Sequence, residues 1–205
     1  LSHIGNSPLL EKISSLKDIR VVELPSIQIN NADYQRHIIF IPETSQLNIE
    51  NLTSHQPSSS ASEIWDWLEV MSGIPRVTEA TLEKFVPQMI NMESLHGIDF
   101  KKGCYPGQEV IARSQYRGII KRRLQIASVE NTNIPSPGTE IFHSEDVEQP
   151  CGMVVLAAKD SNQVDKIFLQ VECKQESLSQ GKIHLGSPQG PILNFNQLPY
   201  DLIEI

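Results

Sequence analysis

Gly118-Ile119-Ile120-Lys121-Arg122-Arg123-Leu124-Gln125-Ile126-Ala127-Ser128-Val129 marks the point at which the chain changes character. Ile119–Val129 reads as a strand, and so do Glu140–His143, Gly152–Ala158, Lys166–Lys174 and Lys182–Leu185. Turn clusters such as Pro135-Ser136-Pro137-Gly138 and Asp160-Ser161-Asn162 separate them. Short strands at this regular spacing predict a small barrel or sandwich. Ahead of Gly118 the pattern is mixed. Ser7-Pro8-Leu9-Leu10 reads as a helix start, with Ser7 as N-cap and Pro8 in the first turn. Arg20–Leu24 and His37–Ile41 are short β-rich runs, Thr44–Leu52 predicts a second helix, and the serine-rich Ser54–Ser62 predicts a loop. Ser60 and Glu63 then have capping-box spacing for a helix from Ser62 to Ser72. The fold class is α+β, with a mixed domain over 1–117 and a small β-barrel domain over 118–205.

The chain of 205 residues is long enough for one or two domains with a sizeable core, and its 39% hydrophobic and 20% charged content is that of a soluble globular protein. No apolar run is long enough to span a bilayer, and no signal-peptide pattern is visible. Three cysteines, Cys104, Cys151 and Cys173, are an odd number at wide spacing. That argues against a disulfide framework and for a reducing compartment. The histidines show no metal-ligand spacing, so no metal site is expected.

A net charge of −8 disfavours polyanions, yet seven of the 17 basic residues fall between Lys101 and Arg123, against the single acid Glu109. Such a stretch is either a solvated basic face or a local anion site.

Within it, Lys101-Lys102-Gly103-Cys104-Tyr105-Pro106-Gly107-Gln108-Glu109 sets a thiol behind two ammonium groups, which favours the nucleophilic thiolate. Tyr105–Gln108 suits a type II turn, with Pro106 presetting φ and Gly107 supplying φ > 0. A short helix should follow, with Glu109 and Arg113 paired at i,i+4. Cys151, after Pro150, and Cys173, in an apolar alternating strand, should instead be buried with raised pKa values.

The string Lys-Gly-Cys-Tyr-Pro-Gly-Gln-Glu from Lys102 to Glu109, followed by Arg113, resembles the signature of the YgfZ family of folate-binding proteins. These are related to the glycine-cleavage T-protein, an aminomethyltransferase. Phe85-Val86-Pro87-Gln88, Asn91 and Gly97-Ile98-Asp99-Phe100 upstream are similar to the family's run into the loop. Tyr116-Arg117-Gly118 with Lys121-Arg122 is similar to its exit, and Leu198-Pro199-Tyr200 to its last strand. The resemblance is close over residues 60–125 and looser elsewhere. It implies a T-protein-like folate-binding domain ending in a β-barrel. It also implies that the first third of the family's length, with part of the folate pocket, is missing ahead of Leu1.

Two tryptophans lie on the predicted helix. Ile64, Trp67, Leu68 and Met71 form a coherent apolar stripe, whereas Trp65 falls about 100° away, beside Glu69 and Ser72. An indole there packs under a neighbouring domain or stacks on a flat ligand, and the resemblance implies a folate contact at this place. Relatives tend to read Arg-Ile-Glu-x-Gly where this chain has Glu69-Val70-Met71-Ser72-Gly73, so Met71 stands at the glutamate position. Gln88 is a candidate substitute, because an amide pairs with the donor–acceptor edge of a pterin.

The resemblance implies tetrahydrofolate or a derivative as cofactor, bound by Trp65, Gln88, Tyr105, Gln108, Glu109, Arg113 and Arg117. Cys104 is the expected functional thiol, with Lys102 beside it. The implied activity is folate-dependent support of iron–sulfur cluster assembly or repair and, through it, of tRNA modification. Its partners would be folate and iron–sulfur client proteins, with no direct nucleic-acid binding and no membrane. A monomer is expected, in the bacterial cytoplasm or in the mitochondrial matrix of a eukaryote. The alternative is an aminomethyltransferase moving a one-carbon unit to tetrahydrofolate, although T-proteins carry aspartate where this chain has Cys104. A third reading is a folate- or RNA-binding module in which the loop is structural.

Overall fold

A computed structural model describes residue 13 and residues 19–43, 61–100, 102–103, 106–117, 120–130, 132–160, 163 and 165–203. The helices expected from Ser7 and over Thr44–Leu52, and most of the serine-rich loop, lie outside the described residues. The chain forms two compact units, dividing after Ala61. Residues 108–117 and 120–130, on the two sides of the expected boundary at 118, both belong to the second.

In the first unit, β1 (Arg20–Ile29) and β2 (Ala32–Phe40) form an antiparallel hairpin. Both strands run longer than their β-rich cores. Asn30 and Asn31 turn the chain at φ 50° and 64°, the conformation that a two-residue hairpin loop requires and asparagine tolerates. Pro25, which has no N–H to give the ladder, falls inside the register shift between Leu24 and Ile27.

The second unit is strand-rich. It opens with helix α1 (Ala61–Met71), passes through 3₁₀ turns at Glu79–Thr81 and Pro87–Ile90, and reaches helix α2 (Gln108–Arg117). Six strands follow: β3 (Arg122–Glu130), β4 (Glu140–His143), β5 (Asp146–Lys159), β6 (Lys166–Lys174), β7 (Ile183–Leu185) and β8 (Asn194–Asn196). They pair antiparallel in the order β7-β4-β5-β6-β3-β8. The last segment changes partner partway along. Asn194–Asn196 pairs with β3, while the Leu193 N–H donates to the Ile183 carbonyl (2.8 Å) and the Leu185 N–H to the Pro191 carbonyl (2.9 Å). Through these bonds the curled sheet brings its two ends together.

Inside the curl, Val129, Ile141, Val154, Ile167, Leu169, Val171 and Leu185 form one apolar cluster. Burial of such side chains is the main stabilising term, about 1.5–3 kcal/mol each. Strand β6 is buried on both faces from Ile167 to Cys173, so its alternation does not separate inside from water. Its second face carries Gln170 and Glu172, both buried and both bonded. The Gln170 amide donates to the carbonyls of Glu69 (3.0 Å), Val70 (3.0 Å) and Ile74 (3.2 Å). It thereby satisfies acceptors that the end of α1 would otherwise leave open.

That cap moves the buried face of α1. Trp67, Leu68 and Val70 are buried, whereas Ile64 and Met71, expected in the stripe, are only half-buried. Gly73, at φ +64°, ends the helix. A Cβ there would sit 2.8 Å from the Tyr200 ring, so conformation and space both select glycine. Leu198-Pro199-Tyr200 is not the last strand; it follows β8 as irregular chain packed by this tyrosine. No described helix is long and apolar enough to cross a membrane.

Candidate functional site

A cavity of about 380 Å3 opens in the second unit between the 3₁₀ segment and the start of α2. Its walls include Val77, Phe85, Pro87, Ile90, Ile98 and Ile111, with Glu83, Asp99 and Lys102 as its charged members. Phe85, Pro87 and Gly97-Ile98-Asp99, from the run similar to the family's approach to the loop, therefore line this cavity. An apolar slot with a few charges suits a flat, largely apolar ligand with polar edges.

Irregular backbone frames it. Glu83, Asn91 and His96 all have left-handed φ, at 60°, 60° and 57°, and buried bonds hold Asn91 in place. Asn91 donates to the Leu124 carbonyl (3.0 Å) and the Tyr200 hydroxyl (3.2 Å), and its Oδ1 accepts from the Leu124 N–H (3.3 Å). The Tyr200 hydroxyl in turn donates to the Gly73 carbonyl (2.8 Å). Burial pushes its phenol up to about 12, so it remains a donor at neutral pH. Glu93 and Arg123 make a buried ion pair, and Arg123 also donates to the carbonyls of Gln88 (3.2 Å) and Ile203 (3.1 Å). The cavity floor is thus tied to the first strand of the sheet and to the chain's tail.

Gln88 is 1% exposed and donates through Nε2 to the Ile111 carbonyl (2.8 Å), so its amide nitrogen holds α2. Lys102 is exposed on the cavity wall, and its backbone N–H donates to Asp99 (3.3 Å). Gly107 has φ +85°, as the expected turn requires. Gln108 is half-buried at the start of α2, while Glu109 and Arg113 form their i,i+4 pair at 2.9 Å on its exposed face. Arg117 closes α2, and its side chain lies outside the described residues, as do Cys104 and Tyr105 altogether. Trp65 is half-buried on α1 and does not line this cavity.

Two of the seven basic residues between Lys101 and Arg123 are tied down by buried acids. Arg122 holds the buried Glu172 with Nη1 2.9 Å from both carboxylate oxygens, and Arg123 is consumed by Glu93. Both acids lie far away in sequence, which is why a count over residues 101–123 missed them. The other two cysteines, widely spaced in sequence, are neighbours across β5 and β6. A hydrogen bond from Cys173 brings the Cys151 thiol down to about 7 despite burial, correcting the raised value expected for it. The same contact, with burial, pushes Cys173 far up. Among the described residues no group of side chains could hold a metal ion.

No protein-family model matches the chain. It is 33% identical over 168 residues to the tRNA-modifying protein YgfZ of Photorhabdus laumondii, covering 80% of this chain and 50% of that one. Over four fifths of its length the chain is similar to a YgfZ protein. The YgfZ protein of Photobacterium profundum is 41% identical over 105 residues, 50% of this chain and 32% of its own. That of Escherichia coli O127:H6 is 28% identical over 173 residues, 83% and 52% of the two chains. The chain spans about half the length of most of these YgfZ relatives.

Proposed function

We propose that this chain forms the folate-contacting end of a YgfZ-type protein that supports tRNA modification through iron–sulfur enzymes, with Cys104 as its working thiol. In this reading the segment with α1 and α2 is the end of a T-protein-like domain, and the curled sheet is the C-terminal β-barrel. The relatives' name, tRNA-modifying protein, supports the link to tRNA modification. The observation that carries the reading is the cavity of about 380 Å3 walled by the residues that lead into the cysteine loop. Its apolar faces suit a pterin ring, and Lys102 and Asp99 offer partners for polar edges. Gln88 acts here by holding α2, since its Nε2 is already committed to Ile111.

The reading makes tetrahydrofolate a ligand of the cavity, and titration calorimetry with that folate tests it. Val77 lines the cavity and is 48% exposed, so Val77→Trp should obstruct the mouth without disturbing the core. Binding should weaken about tenfold or more, equivalent to about 1.4 kcal/mol. Unchanged affinity would remove folate from this cavity. For the thiol, a strain lacking its own YgfZ should regain tRNA thiolation with the wild-type gene and not with Cys104→Ser. Equal rescue would take Cys104 out of the mechanism.

A further inference from the structure

The two buried cysteines of the sheet are not used by the function proposed above, and their placement has a specific structural cause. In regular antiparallel pairing, Gly152 faces Cys173, so Cys151 would point away from it. The register of β5 against β4 breaks at this point. Ile141 pairs with Gly152 and Phe142 with Pro150, which leaves Cys151 as an extra, bulged residue. A bulge re-aims the side chain it carries, and Cys151 joins Cys173 in the single apolar cluster inside the curl.

Gly152 completes the approach. A Cβ there would collide with the Glu172 carbonyl oxygen and lie 2.9 Å from the Cys173 Cα, so the strands come close only because this residue is glycine. Both cysteines are unbridged, at 1% and 0% exposure.

We propose that Cys151 and Cys173 form a thiol redox site, closing to a disulfide across β5 and β6 when a small peroxide reaches the bulge. The Cys151 sulfur attacks one peroxide oxygen, the O–O bond breaks, and the departing hydroxide leaves as water after taking a proton. The sulfenic acid formed on Cys151 is then attacked by the Cys173 sulfur. The S–S bond forms, the S–O bond breaks, and the Cys173 proton leaves with the hydroxyl as a second water. Two thiols are oxidised and one peroxide is reduced to two waters. The bulge sets the Cys151 thiol against the Ile141 carbonyl, to which it donates (3.4 Å), and in one cluster with Cys173, which supplies the second sulfur.

The test uses the whole chain as the Cys104→Ser variant, so that the motif thiol cannot intervene. The protein is exposed to hydrogen peroxide under native conditions, quenched with catalase, then denatured, alkylated and digested without reductant. The expected product is one peptide pair joined through Cys151 and Cys173, with loss of two hydrogens, full reversal by dithiothreitol, and a raised unfolding temperature before reduction. In Cys173→Ala the reaction should stop at a sulfenic acid on Cys151 that dimedone traps. Recovery of Cys151 and Cys173 as separate alkylated or sulfinic peptides would overturn the proposal. The parent measurement decides the matter even if Cys173→Ala does not fold.

Discussion

The segment from Pro75 to Arg117 and the curled sheet that follows it are built on opposite principles. The sheet is a continuous antiparallel ladder bulged in β5, and its interior is an apolar cluster closed on itself. The cavity segment has two short 3₁₀ turns, one helix, and three non-glycine residues in the left-handed region. Its order comes from polar side chains reaching to the sheet and the tail: Asn91 to Leu124 and Tyr200, Glu93 to Arg123, and Arg123 to Gln88. Apolar packing is non-directional and tolerates repacking, whereas a buried hydrogen-bond network fixes one geometry. A cavity that must keep its shape is therefore set against the sheet by polar bonds.

The sharpest way to break this contrast is Arg123→Ala. It leaves the Glu93 carboxylate buried without its partner, which should cost about 3–5 kcal/mol in urea unfolding. Leu169→Ala in the sheet core should cost a similar amount, about 2–5 kcal/mol, for cavity reasons alone. The two differ in what repairs them. Replacing the ion pair by apolar residues, Arg123→Met with Glu93→Leu, should recover most of the lost stability. Ligand binding at the cavity should remain impaired, because the bonds to Gln88 and Ile203 are not restored. Recovery of binding together with stability would show that the network serves stability alone.

Gly73→Ala should have an intermediate effect. The left-handed φ of +64° costs a non-glycine residue about 1–2 kcal/mol, and the new methyl must displace the Tyr200 ring. The loss should appear as a lowered unfolding temperature. Protection of the Asn91 amide from hydrogen exchange should fall further than that of the β6 amides, because Tyr200 is Asn91's partner.

The regular region was far more legible in the sequence than the cavity segment. Glu140–His143 and Lys166–Lys174 are strands over the residues that pattern alone picked out. Strand β8 was missed because three residues, Asn194-Phe195-Asn196, carry too little pattern to register. For the site, the motif residues were visible in the sequence but their supports were not. Glu93 lies 30 residues from Arg123 and Glu172 lies 50 from Arg122, so a local charge count read two ion-paired arginines as a basic patch. Cys151 is buried as expected, but the bulge that sets it beside Cys173 depends on strand pairing that a single strand's sequence does not show.

Glu172 gives the smallest expected effect and separates the two regions by their response to pH. Burial raises the Glu172 pKa above its ordinary value of 4.5, and the bonds from Arg122 oppose that shift without cancelling it. A carboxyl with a raised folded pKa binds its proton more tightly in the folded state than in the unfolded one. Its contribution is fully present below the unfolded value and is lost as pH rises through the folded value. Between 4.5 and that raised value, this one group should make the sheet more stable as pH falls, opposite to a carboxylate held ionised by a partner. Glu172→Gln removes the titration while keeping shape and an acceptor for Arg122. Urea midpoints followed across the weakly acidic range should then decline more steeply on acidification in the variant than in the parent. A parent that declines as steeply as Glu172→Gln would mean that Arg122 just balances burial, and one that declines more steeply would make Glu172 an ordinary ion-paired carboxylate.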